Sequence, residues 1–168
     1  MKLYIKQKVF SWGDKFTVKD ENEQDKYTVE GEVFSLGKKL HVKDLNGNEV
    51  AFIHQKLLSF MPRYFVFKGE EQVAEIVQKF KFFKPSYVVN GPQWQVEGNF
   101  NAHLYRVFQD DNPIVNIEKI WFSWGDSYVL DIDDTADEVL ALAVVLAIDA
   151  ATQQAQSNNN SSGINIKI

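Results

Sequence analysis

Phe10-Ser11-Trp12-Gly13-Asp14 returns letter for letter as Phe122-Ser123-Trp124-Gly125-Asp126, and the residues around the two copies extend the match. In each copy a lysine precedes, by eight or nine positions, an aromatic residue that opens a short apolar run: Lys8 before Phe16-Thr-Val18 and Lys119 before Tyr128-Val-Leu130. The same arrangement recurs between them, as Lys56 before Tyr64-Phe-Val66 and Lys79 before Tyr87-Val-Val89. This is a hairpin module used four times, with Gly or Pro in or beside each reversal: Ser11 to Asp14, Ser59 to Pro62, Phe83 to Ser86 and Ser123 to Asp126. A second echo, Tyr27-Thr-Val-Glu-Gly31 against Trp94-Gln-Val-Glu-Gly98, makes residues 1 to 70 and 71 to 132 diverged copies of one six-strand unit.

Period-two alternation runs through both copies and predicts twelve strands, near 3–10, 15–19, 26–34, 39–43, 49–58, 63–68, 72–82, 86–89, 93–99, 102–109, 113–122 and 127–132. Asn46-Gly47 is the strongest hairpin signal. The inward set reads Phe16, Val18, Tyr27, Val29, Val33, Trp94, Val96, Tyr128, Leu130 and Ile132, whereas Thr28, Glu30, Glu32 and Glu97 point to water. A polar outer surface excludes a lipid-embedded barrel.

What such a sheet encloses is written after it. Thr135 and Glu138 form a capping-box signature, Asp133 and Asp134 suit the positive end of a helix dipole, and Val139 to Ile148 is an unbroken apolar run of ten residues. A helix apolar on every face must be buried on every face. Ten residues span about 15 Å, short of the roughly 30 Å of bilayer hydrocarbon. A twelve-stranded barrel is wide enough to need a plug, and a helix about 10 Å across fits. The predicted fold is therefore mainly β: a closed antiparallel barrel of about twelve strands, built from two similar halves, enclosing a C-terminal hydrophobic helix. Val139, Leu140, Leu142, Val145 and Leu146 are its expected core, and Gly31 and Gly98 the expected points of close approach between wall and helix. Residues 1–150 form one domain, with the helix at 134–150, and the Gln- and Asn-rich stretch 151–168 is expected to be disordered.

Composition fits a single domain of 168 residues with 14% aromatics. With no Cys, neither disulfides nor a thiolate metal site is available, and a reducing, cytoplasmic setting is expected, either free or peripheral at a membrane. The opening Met-Lys-Leu-Tyr-Ile-Lys-Gln-Lys alternates and does not read as a signal peptide. A net charge of −5 argues against a nucleic-acid partner.

In this architecture the residues resemble the LURP-one-related proteins, which share the tubby C-terminal-like fold with phospholipid scramblases. The Phe-Ser-Trp-Gly-Asp and Val-Glu-Gly segments and the terminal apolar helix carry the resemblance over about residues 1 to 150. It implies a module related to domains that bind phosphoinositide headgroups or act at membranes. No headgroup motif of tubby matches residue by residue, so the resemblance supplies no site residue.

Topology supplies the candidates instead. In an antiparallel succession alternate turns lie at opposite ends. One end receives Trp12, Lys38, Lys39, Phe60, Met61, Arg63, Phe83, Lys84 and Trp124; the other receives Asp20, Glu21, Glu23, Asp25, Asp44, Glu49, Glu70, Glu71, Asp110, Asp111, Asp131, Asp133 and Asp134. Rings and cations on one rim suit contact with anionic lipid, and Lys38, Lys39, Arg63, Lys84, Trp12 and Trp124 are the candidate lipid-binding residues. The competing role for the two tryptophans is to fold inward over the barrel mouth.

Enzymatic readings find little. His41, His54 and His103 share no metal-binding spacing, the turn serines lack a Gly-x-Ser-x-Gly elbow, and Asp44 to Glu49 lacks the glycine position and distal Glu of a calcium loop. A non-enzyme without metal or cofactor is expected. Two function classes stay open: a binding module for anionic lipid or the membrane surface, and a soluble scaffold that holds a protein partner at an open strand edge or at the acidic end.

Overall fold

The computed structural model describes residues 1–6, 15–32, 34–81, 84–102, 104–122 and 125–161. Twelve strands form one closed antiparallel barrel in simple up-and-down order: β1 (Lys2–Lys6), β2 (Lys15–Lys19), β3 (Asp25–Gly31), β4 (Lys39–Lys43), β5 (Glu49–Gln55), β6 (Arg63–Lys68), β7 (Glu71–Lys81), β8 (Lys84–Asn90), β9 (Trp94–Asn99), β10 (Leu104–Gln109), β11 (Asn112–Phe122) and β12 (Gly125–Ile132). The ring closes where β1 pairs with β12, Leu3 opposite Leu130 and Ile5 opposite Tyr128. The duplication has β1–β6 as one half and β7–β12 as the other.

One helix follows, α1 (Glu138–Ser161). Every residue from Leu140 to Thr152 is buried, which is more than three full turns, so no face of that stretch meets solvent. Its partners in the core are the inward residues of the strands, among them Ile5, Val18, Val29, Ile53, Val66, Ile76, Val89, Val107, Ile117 and Leu130. Full burial of each Leu, Ile or Val on the helix contributes about 1.5–3 kcal/mol, which makes it the rod on which the wall is wound.

Several expectations are corrected. The helix begins at Glu138 instead of 134 and continues beyond 150 to Ser161, so the polar stretch 151–161 is helical; residues 162–168 lie outside the described residues. Its cap is Asp137, whose Oδ1 accepts the Leu140 amide at 3.0 Å, and not the Thr135–Glu138 box. Thr135 instead closes a turn on Asp133, and Glu138 accepts from Lys26 Nζ and from the Tyr27 hydroxyl. The extra length also removes the argument that the helix is too short for a bilayer. Glu138–Ala155 is long and apolar enough to cross one, but 72% of it is buried inside the barrel.

Gly98 serves a different neighbour from the one expected. At φ 147° a Cβ there would lie 2.5 Å from Leu104 O and Tyr105 Cα, so its lack of a side chain lets β10 close on β9, not the wall on the helix. Two strands end earlier than predicted: β3 at Gly31 and β5 at Gln55, where the apolar residues Val33-Phe34 and Leu57-Leu58 suggested continuation. Val33 itself lies outside the described residues.

Candidate functional site

Strand succession sorts the connections into two ends. The β2–β3, β4–β5, β6–β7, β8–β9 and β10–β11 connections and the start of α1 share the acidic end; the opposite end gathers the others and the helix exit. At the acidic end four carboxylates are held in ion pairs: Asp25 with Lys19, Asp137 with Lys68, Glu138 with Lys26, Asp134 with the Met1 amino group. Asp44 caps its own hairpin by accepting the amides of Asn46 and Asn48.

The four described cationic candidates all start or precede strands at the opposite end. Lys38 stands just before β4, half-buried, and burial pushes its pKa down from 10.5 to about 8. Its backbone is clamped to β5, since the Lys38 amide donates to Gln55 Oε1 at 3.1 Å and the Gln55 amide to Lys38 O at 2.7 Å. Gln55 in turn donates through Nε2 to Gln154 on α1 at 2.8 Å, tying this loop to the helix exit. Lys39 opens β4 and reaches Glu32 Oε2 at 3.1 Å, and Arg63 opens β6 and reaches Glu75 Oε1 at 2.7 Å. Lys84 opens β8 and is exposed. Trp12 and Trp124 lie outside the described residues.

Sequence reasoning missed most of the apolar part of this rim. Among the described residues nine large apolar side chains are exposed, and seven stand at this end: Phe34, Leu36, Leu57, Leu58, Phe60, Phe80 and Leu104. Met1 and Leu45 are the other two, at the acidic end. Phe34 and the Leu57-Leu58 pair were assigned to strands because they prolong apolar runs; the signal that could have found them is apolar residues continuing past the last position that alternation can bury. Leu58 is fully exposed and holds φ 54°, a left-handed conformation that costs a bulky residue about 1–2 kcal/mol.

Beneath this rim the lumen turns polar. Tyr64, Tyr87, Tyr105 and Tyr128, from β6, β8, β10 and β12, are buried in the core, and Asp149 on α1, 2% exposed, lies near Tyr87, Tyr105 and Tyr128. The Tyr128 hydroxyl donates to Asp149 Oδ2 at 2.9 Å. Burial pushes Tyr87 up to about 12, and burial together with the nearby Asp149 charge raises Tyr105 and Tyr128 well above the ordinary phenol. At ordinary pH these phenols are donors, not bases. Asp149, which ends the apolar run, was not singled out from the sequence, although two of the tyrosines near it, Tyr87 and Tyr128, are aromatic positions of the repeated module. No group of three His, Cys, Asp or Glu placed to hold a metal occurs among the described residues.

The family model for LURP-one-related proteins matches residues 1–149. The chain belongs to the LURP-one-related family. A relative is the uncharacterised protein YxjI of Bacillus subtilis (strain 168), 36% identical over 149 residues that make up 89% of this chain and 92% of that one. In structure this LURP-one-related chain is similar to a crystal structure of a protein from Arabidopsis thaliana, with a TM-score of 0.61 over 90% of each chain. At 17% identity that likeness speaks for the fold alone.

Proposed function

We propose that this LURP-one-related protein is a non-catalytic binding module that docks on anionic membrane surfaces through the apolar and cationic end of its barrel. The observation that carries this reading is the segregation of exposed large apolar side chains: among the described residues seven of the nine stand at one end, with Lys38, Lys39, Arg63 and Lys84. Scattered apolar side chains on a surface need no explanation, but a rim of them does. Rings and leucines at the headgroup level with cations beside them are what a peripheral contact uses, each cation not already neutralised by a carboxylate contributing about 1 kcal/mol toward anionic lipid. Leu58, fully exposed in a costly backbone conformation, supports a role outside the fold.

The scaffold reading has less behind it. Of its two forms, a partner at an open strand edge would need an unpaired edge, and the described strands pair all the way round the ring, while a partner at the acidic end would meet Asp25, Asp134, Asp137 and Glu138 already in ion pairs.

Co-sedimentation with vesicles tests the proposal. Vesicles containing phosphatidylserine should bring the protein down at low salt, less at 0.5 M salt as the charges are screened, and phosphatidylcholine vesicles should do so weakly. Leu58→Glu with Phe60→Glu should weaken binding tenfold or more. Failure to pellet with anionic vesicles at low salt overturns the reading.

A further inference from the structure

Between the β5–β6 connection and the rim of β7 lies a groove of about 280 Å³. Phe60, Met61, Val77 and Phe80 give it apolar walls, and Arg63 and Lys79 give it two cations. Arg63 stands opposite Val77 in the β6–β7 ladder, and the Gln78 amide donates to Pro62 O at 3.1 Å, so the loop and strand that form the two sides are fixed to each other. The Arg63 guanidinium is held through Nη1 by Glu75 Oε1, while its Nε is buried and has no hydrogen-bond partner among the described residues. Nε is closed off, but the Arg63 side chain as a whole lines the groove and stays 33% exposed, and a planar fork held at one nitrogen presents its remaining N–H donors to an oxyanion in a fixed geometry.

We propose that this groove seats the phosphomonoester headgroup of a single anionic phospholipid, with Arg63 and Lys79 on the phosphate and Phe60 and Phe80 against the glycerol and first methylenes. The proposal rests on the membrane-facing reading of this end and adds the ligand class and its seat. Size and charge select the occupant. Small-molecule clefts run from roughly 300 Å³ upward, so this one takes a headgroup and leaves the acyl chains in the bilayer that the rim contacts. A phosphomonoester carries about −1.5 to −2 at neutral pH, a match for Arg63, Lys79 and Lys56, whose charge also acts on Glu75, set against that one carboxylate, and it presents oxygens that a phosphodiester capped by choline covers. The aromatic walls at the mouth favour a phosphate that arrives attached to lipid over inorganic phosphate.

The test is an NMR titration of the full chain with dihexanoyl phosphatidic acid below its micelle concentration, with dihexanoyl phosphatidylcholine and glycerol 3-phosphate as separate arms. Phosphatidic acid should shift the amides of Phe60, Val77 and Lys79, glycerol 3-phosphate should do so at least tenfold more weakly, and phosphatidylcholine should leave them in place. Lys79→Gln, at an exposed position, should weaken phosphatidic acid binding at least fivefold, and Arg63→Lys should do the same with the charge retained. Equal shifts from phosphatidylcholine, equal affinity for glycerol 3-phosphate, or an unchanged affinity in Lys79→Gln overturns the groove. Vesicle binding without these shifts sinks the groove and spares the rim; these shifts without vesicle binding spare the groove and sink the rim.

Discussion

Inside the barrel the Tyr128 hydroxyl donates to Asp149 Oδ2 at 2.9 Å, joining the last strand of the wall to the helix it surrounds. Asp149 sits where the apolar rod gives way to its polar end, so this bond fixes how far the helix is inserted and how it is rotated. Buried polar pairs of this kind specify register more than they add stability.

Removing the donor should therefore be costly. Tyr128→Phe takes from Asp149 one of its donors and should cost about 1–3 kcal/mol in urea unfolding. In an Asp149→Leu background the same substitution should cost less than half as much, because the acceptor is already gone. Equal costs in both backgrounds would show that the hydroxyl and the carboxylate do not act on each other.

The helix start offers a second check. Asp137 caps the Leu140 amide and pairs with Lys68, whereas Thr135 only closes the preceding turn on Asp133. Asp137→Ala should lower stability by about 0.5–2 kcal/mol and Thr135→Ala by no more than about 0.5 kcal/mol, read from chemical denaturation. The reverse ranking would restore the capping box that the sequence suggested.

These two cases mark where the sequence is readable. Alternation and the repeated module located all twelve strands, because burying one face of a pleat leaves a period of two in the residues. The run from Val139 to Ile148 announced an enclosed helix because no other setting hides every face. The helix ends were less legible. Thr135 and Asp137 are both capping residues two positions apart, and only the direction from which the chain leaves β12 decides between them. The apolar rim was hidden by the rule that found the strands, since Phe34, Leu57 and Leu58 continue an apolar run past the point where pairing stops. Asp149 passed unnoticed because one polar residue at the end of an apolar stretch looks like its boundary.

His41 gives a pH dependence with a definite sign. Desolvation pulls its pKa down, but Glu49 at 2.5 Å from Nδ1 and Glu32 at 3.0 Å from Nε2 outweigh this and hold it above the ordinary 6.5. A pKa raised in the folded state means a contribution fully present below the unfolded value of about 6.5 and lost as pH rises through the folded one. At a partly exposed position it amounts to about 0.5–1 kcal/mol. Unfolding free energy should fall by that amount between pH 6 and pH 8.5 in the wild type, and His41→Gln should flatten the decline. A decline of the same size in the variant would assign it elsewhere.

Lys38 should make vesicle binding sensitive to alkali. With burial holding it to about 8, it is charged at pH 7 and mostly neutral at pH 9.5, which removes about 1 kcal/mol of attraction to anionic lipid. Partitioning followed by intrinsic tryptophan fluorescence should weaken about fivefold over that range, and Lys38→Arg, which stays charged, should remove the dependence. An unchanged dependence in Lys38→Arg would exclude Lys38 as its source.

The orientation of the barrel on a bilayer is the most direct measurement. The chain has no cysteine, so a nitroxide can be placed singly at Leu58→Cys on the apolar rim and at Leu45→Cys on the acidic end, both exposed positions. With anionic vesicles the label at 58 should become protected from a water-soluble relaxant and accessible to oxygen, while the label at 45 stays as it is in solution. Protection at 45, or equal behaviour at the two ends, would contradict the account.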